Sequence, residues 1–150
     1  MKADEFDLSA FLPYRLALLS RAVQSLLSSA LDECGLTVAQ WRVYLCLVRN
    51  GPSTLNEIVA FTRLPQSSLS RSIARMDERG LVRSGRNPKD RRRSVIEITP
   101  AGRCQLTEAI EAVNRTCDGA LSLAPEERAR FGTTVEYLID RLAAYTPAAD

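Results

Sequence analysis

The sequence contains no histidine. That removes the commonest general base and the commonest neutral metal ligand. No glycine-rich phosphate loop and no nucleophile motif stands in for it, so an enzyme is not expected. The four cysteines, Cys34, Cys46, Cys104 and Cys117, form no C-x-x-C pair. A structural zinc site is therefore not expected, and their scatter in a cytosolic chain argues for reduced thiols. No metal and no cofactor are anticipated. No apolar run approaches the ~20 residues of a membrane span. The opening stretch MKADEFDLSAF is acidic and unlike a signal peptide, so a cytoplasmic protein with no membrane partner is expected.

Net charge is also scarce, at +2. Its distribution is uneven. Residues 63–103 hold eleven basic residues (ten Arg and Lys89) against Asp77, Glu78, Asp90 and Glu97, a net of +7 that leaves −5 for the rest. A basic middle on an acidic frame is an electrostatic footprint with a defined address. The 150 residues, 45% of them hydrophobic, suffice for one domain with a core.

The basic middle has its own grammar. In LPQSSLSRSIARMDERGLVRSGRNPKDRRRSVIEIT, residues 64–99, Leu69, Ile73 and Met76 form one apolar stripe at helical spacing. At about 100° per residue, Ser67, Ser68, Arg71, Ala74, Arg75 and Glu78 fall on the opposite side. That side is short-chained and basic, as a face entering a DNA major groove must be. Gly80 stops the helix. Two β-like runs follow, at 81–84 and 94–98, with Gly85, Asn87 and Pro88 supplying turn chemistry between them. A hairpin tip carrying Lys89, Arg91, Arg92 and Arg93 suits phosphates and a narrow minor groove. Helix followed by basic hairpin predicts a winged helix-turn-helix. The plain alternative is a solvated helix face beside a charged loop.

The remaining helices are predicted from periodicity and punctuation. Residues 8–33 carry a four-three seam of Leu12, Leu16, Leu19, Val23, Leu26 and Ala30, widened by Leu18, Leu27 and Leu31. Gly35 ends this helix. Thr37 with Gln40, and Thr54 with Glu57, are capping boxes that open two more. The break between those two is Asn50-Gly51-Pro52. The turn at 62–65 leads into the basic helix. Pro65 fits its first position, whereas Leu64 is a poor cap and Ser67 is the other candidate. Thr99-Pro100 reads as N-cap and N1 of a helix to about Leu121, with Leu106, Ile110, Val113, Cys117 and Ala120 as its stripe. Asp118-Gly119 is the alternative, slightly earlier end. Pro125 starts a last helix with a seam of Phe131, Val135, Leu138, Leu142 and Tyr145.

Ser68-Leu69-Ser70-Arg71, Glu78-Arg79-Gly80-Leu81-Val82, Asp90-Arg91-Arg92 and Ile98-Thr99-Pro100-Ala101-Gly102-Arg103 resemble the MarR family of bacterial transcription regulators. Gly35-Leu36-Thr37 and Gln40-Trp41 fit the same pattern upstream. The resemblance implies a mainly α fold with a small β-hairpin wing. In it, a winged helix-turn-helix at about 37–103 is flanked by dimerisation helices at about 8–34 and 104–146 within a single domain of 1–150. It implies a homodimer on double-stranded DNA with an inverted-repeat operator, acting as a repressor. Gln66, Ser67, Ser68, Ser70, Arg71 and Arg75 are the predicted recognition-helix contacts. Lys89, Asp90, Arg91, Arg92 and Arg93 form the wing, with Arg92 matching the Arg of the family's Asp-x-Arg and Asp90 bracing it. A small aromatic or acidic effector is implied between the dimer helices and the winged unit, with Tyr14, Arg15, Trp41 and Arg42 as its lining. For Trp41, a place in the core is the plain alternative. Two other functions stay open: a winged helix used for protein contact, and a thiol-based redox regulator. The second is weakened because no cysteine precedes Cys34, and Cys46 and Cys117 fall on apolar stripes.

Overall fold

In the computed structural model, residues 7–86 and 94–145 are described. The chain forms two compact units, 1–117 and 118–150. In chain order the elements are α1 (Leu12–Glu33), α2 (Val38–Asn50), α3 (Leu55–Thr62), α4 (Gln66–Glu78), β1 (Val82–Arg86), β2 (Ser94–Ile98), α5 (Pro100–Leu121) and α6 (Pro125–Ala144). This mainly helical chain with one small antiparallel hairpin is a winged helix-turn-helix. The last turn of α5 and all of α6 belong to the second unit.

Local chemistry explains most boundaries. Thr37 Oγ1 accepts from the Gln40 amide while Gln40 Oε1 accepts from the Thr37 amide; Thr54 and Glu57 do the same for α3. Thr99 Oγ1 accepts from the Gly102 amide at 3.1 Å, capping α5 as its position predicts. α1 starts at Leu12, the first residue of its seam and four residues later than the predicted range of 8–33. Asp7 Oδ1 gathers the amides of Ser9 and Ala10 and the Ser9 hydroxyl, closing a local turn that competes with the helix. α4 is capped by neither expected residue: Pro65 is its N-cap with no side-chain bond, and the Pro65 carbonyl accepts from Ser68 and Leu69. β1 begins at Val82 rather than residue 81, because the Leu81 amide is taken by the Met76 carbonyl at 2.9 Å. Gly119 does not end α5, which runs on to Leu121.

The core lies in the first unit. Leu36, Val43, Tyr44, Leu47, Ile58, Leu69, Ile73, Met76, Val82, Ile96, Ile98 and Leu106 are buried together. The hairpin register pairs Val82 with Ile98 and Ser84 with Ile96, and Ser53 bridges the free side of Ile96. α5 packs on a stripe that keeps Leu106 and the half-buried Val113 of the predicted one but is otherwise turned toward small residues. Gly102, Leu106, Ala109 and Ala112 are buried, while Ile110 and Ala120 are exposed. Small side chains let that face approach its neighbours closely, and periodicity counted on large residues passes over them.

Tyr44 joins three helices. Its hydroxyl donates to Gln105 Oε1 at 3.0 Å, and Gln105 Nε2 donates to the Cys34 carbonyl at 3.1 Å. Burial pushes the Tyr44 phenol up to about 12 from its ordinary 10, with the Arg79 charge acting the other way. The folded-state value lies above the unfolded one. The contribution is therefore complete below pH 10 and is lost as pH rises through 12. Tyr44→Phe should cost about 1 kcal/mol at neutral pH and should remove this part of the alkaline loss. Urea midpoints of the two proteins between pH 8 and pH 12 check it, the expected outcome being curves that converge as pH rises.

Candidate nucleic-acid interface

The basic face is built by α4. Leu69, Ile73 and Met76 turn inward and are buried, which forces the opposite side of the helix outward. Ser67, Arg71 and Arg75 are exposed there, Gln66 and Ser70 are exposed on the flank next to Ile73, and Ser68 is half-buried on the other flank. Since α4 has no side-chain cap, the Ser67 hydroxyl is not consumed by capping. Arg71 Nε donates back to the Ser67 carbonyl at 3.3 Å, folding its guanidinium along the helix. Arg75 makes no ion pair with Asp77 or Glu78. Arg79 instead donates to the Gly35 carbonyl at 3.4 Å. Of the predicted DNA-contacting residues of the helix, Ser67, Arg71 and Arg75 share one outward face, with Gln66 and Ser70 on one flank and Ser68 on the other. Lys89, Asp90, Arg91, Arg92 and Arg93 lie outside the described residues.

The turn feeding α4 is held from the side. Arg63 adopts φ 54, and Thr62 Oγ1 donates to the Ile58 carbonyl at 2.8 Å. Arg42 Nη1 reaches the Thr62 carbonyl at 3.5 Å. Beside this contact runs a groove of about 520 Å³, lined by Arg21, Gln24 and Ser28 of α1, by Val38 and Arg42 of α2, and by Leu64 and Ser68, among others. Of the four predicted effector residues only Arg42 lines it. Trp41 packs half-buried against the core, and Tyr14 and Arg15 are exposed nearer the start of α1. Arg21, Gln24 and Ser28 are not singled out by sequence. Their only signal is a polar row at helical spacing beside the apolar seam of α1.

All four thiols are free. Burial pushes the Cys46 thiol up, which suppresses the thiolate on which redox reactivity depends. No group of three or more acidic or cysteine side chains poised for a metal occurs among the described residues. Within the same residues no helix is long and apolar enough to cross a membrane.

The MarR family model matches residues 35–93, which span α2, the α3–α4 pair and the basic stretch. The chain is 32% identical over 113 residues to the HTH-type transcriptional repressor IacR of Pseudomonas putida, covering 75% of this chain and 67% of that protein. The fold is that of BpsR from Bordetella bronchiseptica, whose DNA binding is regulated by 6-hydroxynicotinic acid (TM-score 0.75, 22% identity, 94% of this chain and 99% of that one). It is equally that of CouR from Rhodococcus jostii RHA1, solved bound to p-coumaroyl-CoA (TM-score 0.76, 23% identity, 96% and 97% covered). With its exposed basic helix beside a hairpin, and with this likeness in sequence and fold, the chain belongs to the MarR family of DNA-binding transcriptional regulators.

Proposed function

We propose that the protein is a homodimeric, sequence-specific repressor released from its operator by a small acidic or aromatic molecule, and that it has no catalytic activity. It would act in the cytoplasm, where bacterial DNA lies. Within the single regulator, residues 37–103 are the DNA-binding unit, and 8–34 and 104–146 the dimerisation helices. The observation that carries this reading is the outward face of Ser67, Arg71 and Arg75 on α4, flanked by the exposed Gln66 and Ser70. Arg71 and the serines address base edges, and Arg75 meets phosphate. Arg92 enters the flanking minor groove, Lys89, Arg91 and Arg93 hold phosphates, and Asp90 braces the wing.

Effector control draws its support from the groove of about 520 Å³, a volume within the range of small-molecule sites. Two guanidinium groups, Arg21 and Arg42, line it and favour an anion. Ser68 belongs both to this wall and to the recognition helix, so an occupant bears on the helix that reads DNA. BpsR and CouR, which share the fold, are described with a carboxylic acid and an acyl-CoA respectively. Tyr14, Arg15 and Trp41 remain candidate contacts once two copies have paired.

The test is binding to an operator selected from random duplexes, titrated over a range of salt. Arg71→Ala should lose about 1–3 kcal/mol of discrimination at one base pair per half-site. An aromatic carboxylate should weaken the native complex, and Arg21→Met/Arg42→Met should abolish that response. Equal losses by Arg71→Ala on operator and unrelated DNA would show that Arg71 only meets phosphate. A protein-contact module would bind no duplex at all.

A further inference from the structure

A second cleft lies between α4 and the hairpin. It measures about 230 Å³ and is lined by Leu55, Ser70, Ile73, Ser84, Ser94 and Ile96. Its chemistry follows from two periodicities. Along α4, Met76, Ile73 and Ser70 recur every three residues on one side. Along the hairpin, every second residue faces the same way: Val82 then Ser84 on β1, and Ile98, Ile96 then Ser94 on β2. Met76, Ile73, Val82, Ile96 and Ile98 are buried, whereas Ser70, Ser84 and Ser94 are exposed. The sealed apolar wedge therefore opens into a slot whose floor is aliphatic and whose rim is three hydroxyls from three different elements. Ser94 Oγ donates only a long bond, 3.4 Å, to the Gly85 carbonyl, and the Ser70 and Ser84 hydroxyls make no hydrogen bond among the described residues. No carboxylate lines the slot.

We propose that this cleft seats one sugar–phosphate unit of the DNA backbone, the one that passes between α4 and the wing. Ser84 and Ser94 donate their hydroxyl protons to its phosphate oxygens. Hydroxyl donors are ordinary phosphate partners in protein–DNA complexes. The aliphatic floor of Leu55, Ile73 and Ile96 offers the deoxyribose carbons an apolar contact. The volume is below the roughly 300–1,000 Å³ of a drug-sized effector pocket, which fits a backbone segment better than an effector. Anionic DNA is drawn to this place by the basic stretch of residues 63–103, and the neutral slot then fixes its register. The proposal rests on α4 being the helix that enters DNA.

The test uses the full-length chain and its selected operator. Ser84→Ala/Ser94→Ala should bind about tenfold more weakly, to operator and unrelated duplex alike, from the loss of charge-assisted hydrogen bonds. The slope of log affinity against log salt should stay unchanged, because no cation has been removed. Both serines are exposed, so the urea midpoint should not move. Ser84→Asp should cost more, about a hundredfold, since a carboxylate in the slot repels the phosphate. Methylphosphonates are then placed singly along the operator. At one linkage per half-site the substitution should weaken the native protein and leave the double alanine variant unaffected. Native-like affinity of the double alanine variant, or the absence of any such linkage, overturns the seat while leaving the DNA-binding role standing. Failure of the native chain to select any duplex would overturn that role itself.

Discussion

Gly102→Ala is expected to destabilise the protein by about 3 kcal/mol or more, the scale of severe overpacking. Gly102 is buried in the first turn of α5. A Cβ built there would meet the Leu81 carbonyl oxygen at 2.0 Å and Ile98 Cγ1 at 3.0 Å. The first of these is backbone and cannot step aside by changing rotamer. The Leu81 carbonyl is also held in place, accepting from the Thr99 amide at 3.1 Å and from Thr99 Oγ1 at 3.0 Å. Relief therefore requires α5 to lift off the start of the hairpin and break those bonds. Urea unfolding should show the midpoint falling with the m-value unchanged. Ala101→Gly, one residue earlier at an exposed position, serves as a control and should shift stability by no more than about 1 kcal/mol. A native midpoint for Gly102→Ala would mean that the helix start is less closely seated than described.

The second large effect is expected at the proposed dimer interface. α1 leaves Leu12, Leu16, Leu19 and Val23 at least 40% exposed. In the other unit, α6 has no buried residue, with Phe131 at 49% and Leu142 at 66% exposure on its four-three seam. Apolar rows of this length normally find cover, and a second copy is the simplest occupant. Two recognition helices related by a two-fold axis would then meet half-sites roughly 10 base pairs apart. Phe131→Glu/Leu142→Glu should make the protein a monomer at micromolar concentration in sedimentation experiments. Operator affinity should fall by about a hundredfold or more, because the second half-site is then no longer held at a high effective concentration. The first unit, which contains α4 and the core, should keep its fold. A double variant that sediments as a dimer and binds the operator normally would place the interface elsewhere.

Much of this could be read from the sequence alone, and the reason is range. A capping box links residues three apart, so Thr37 with Gln40 and Thr54 with Glu57 declare their helices locally. β2 was legible to its boundaries, since a β-branched run set between turn residues and Thr99-Pro100 needs no distant partner to interpret. The basic face of α4 follows from its own inward stripe. The family motifs, from Gly35 to Arg103, carried the fold and the DNA-binding role. What tertiary structure alone decided involves chain segments far apart in sequence. The starts of α1 and α4 are exceptions, set locally by the Asp7 carboxylate and the Pro65 carbonyl through bonds within four residues of each. The packed stripe of α5 keeps the predicted Leu106 and Val113 but is completed by Gly102, Ala109 and Ala112, small residues that a periodic count on large ones passes over. Arg21, Arg42 and Ser68 share a groove, and Ser70, Ser84 and Ser94 share a slot, because helix crossings and hairpin placement bring them together. Local signals fade within a turn or a strand pair. Sites built from three elements depend on packing angles that no single stretch of sequence encodes.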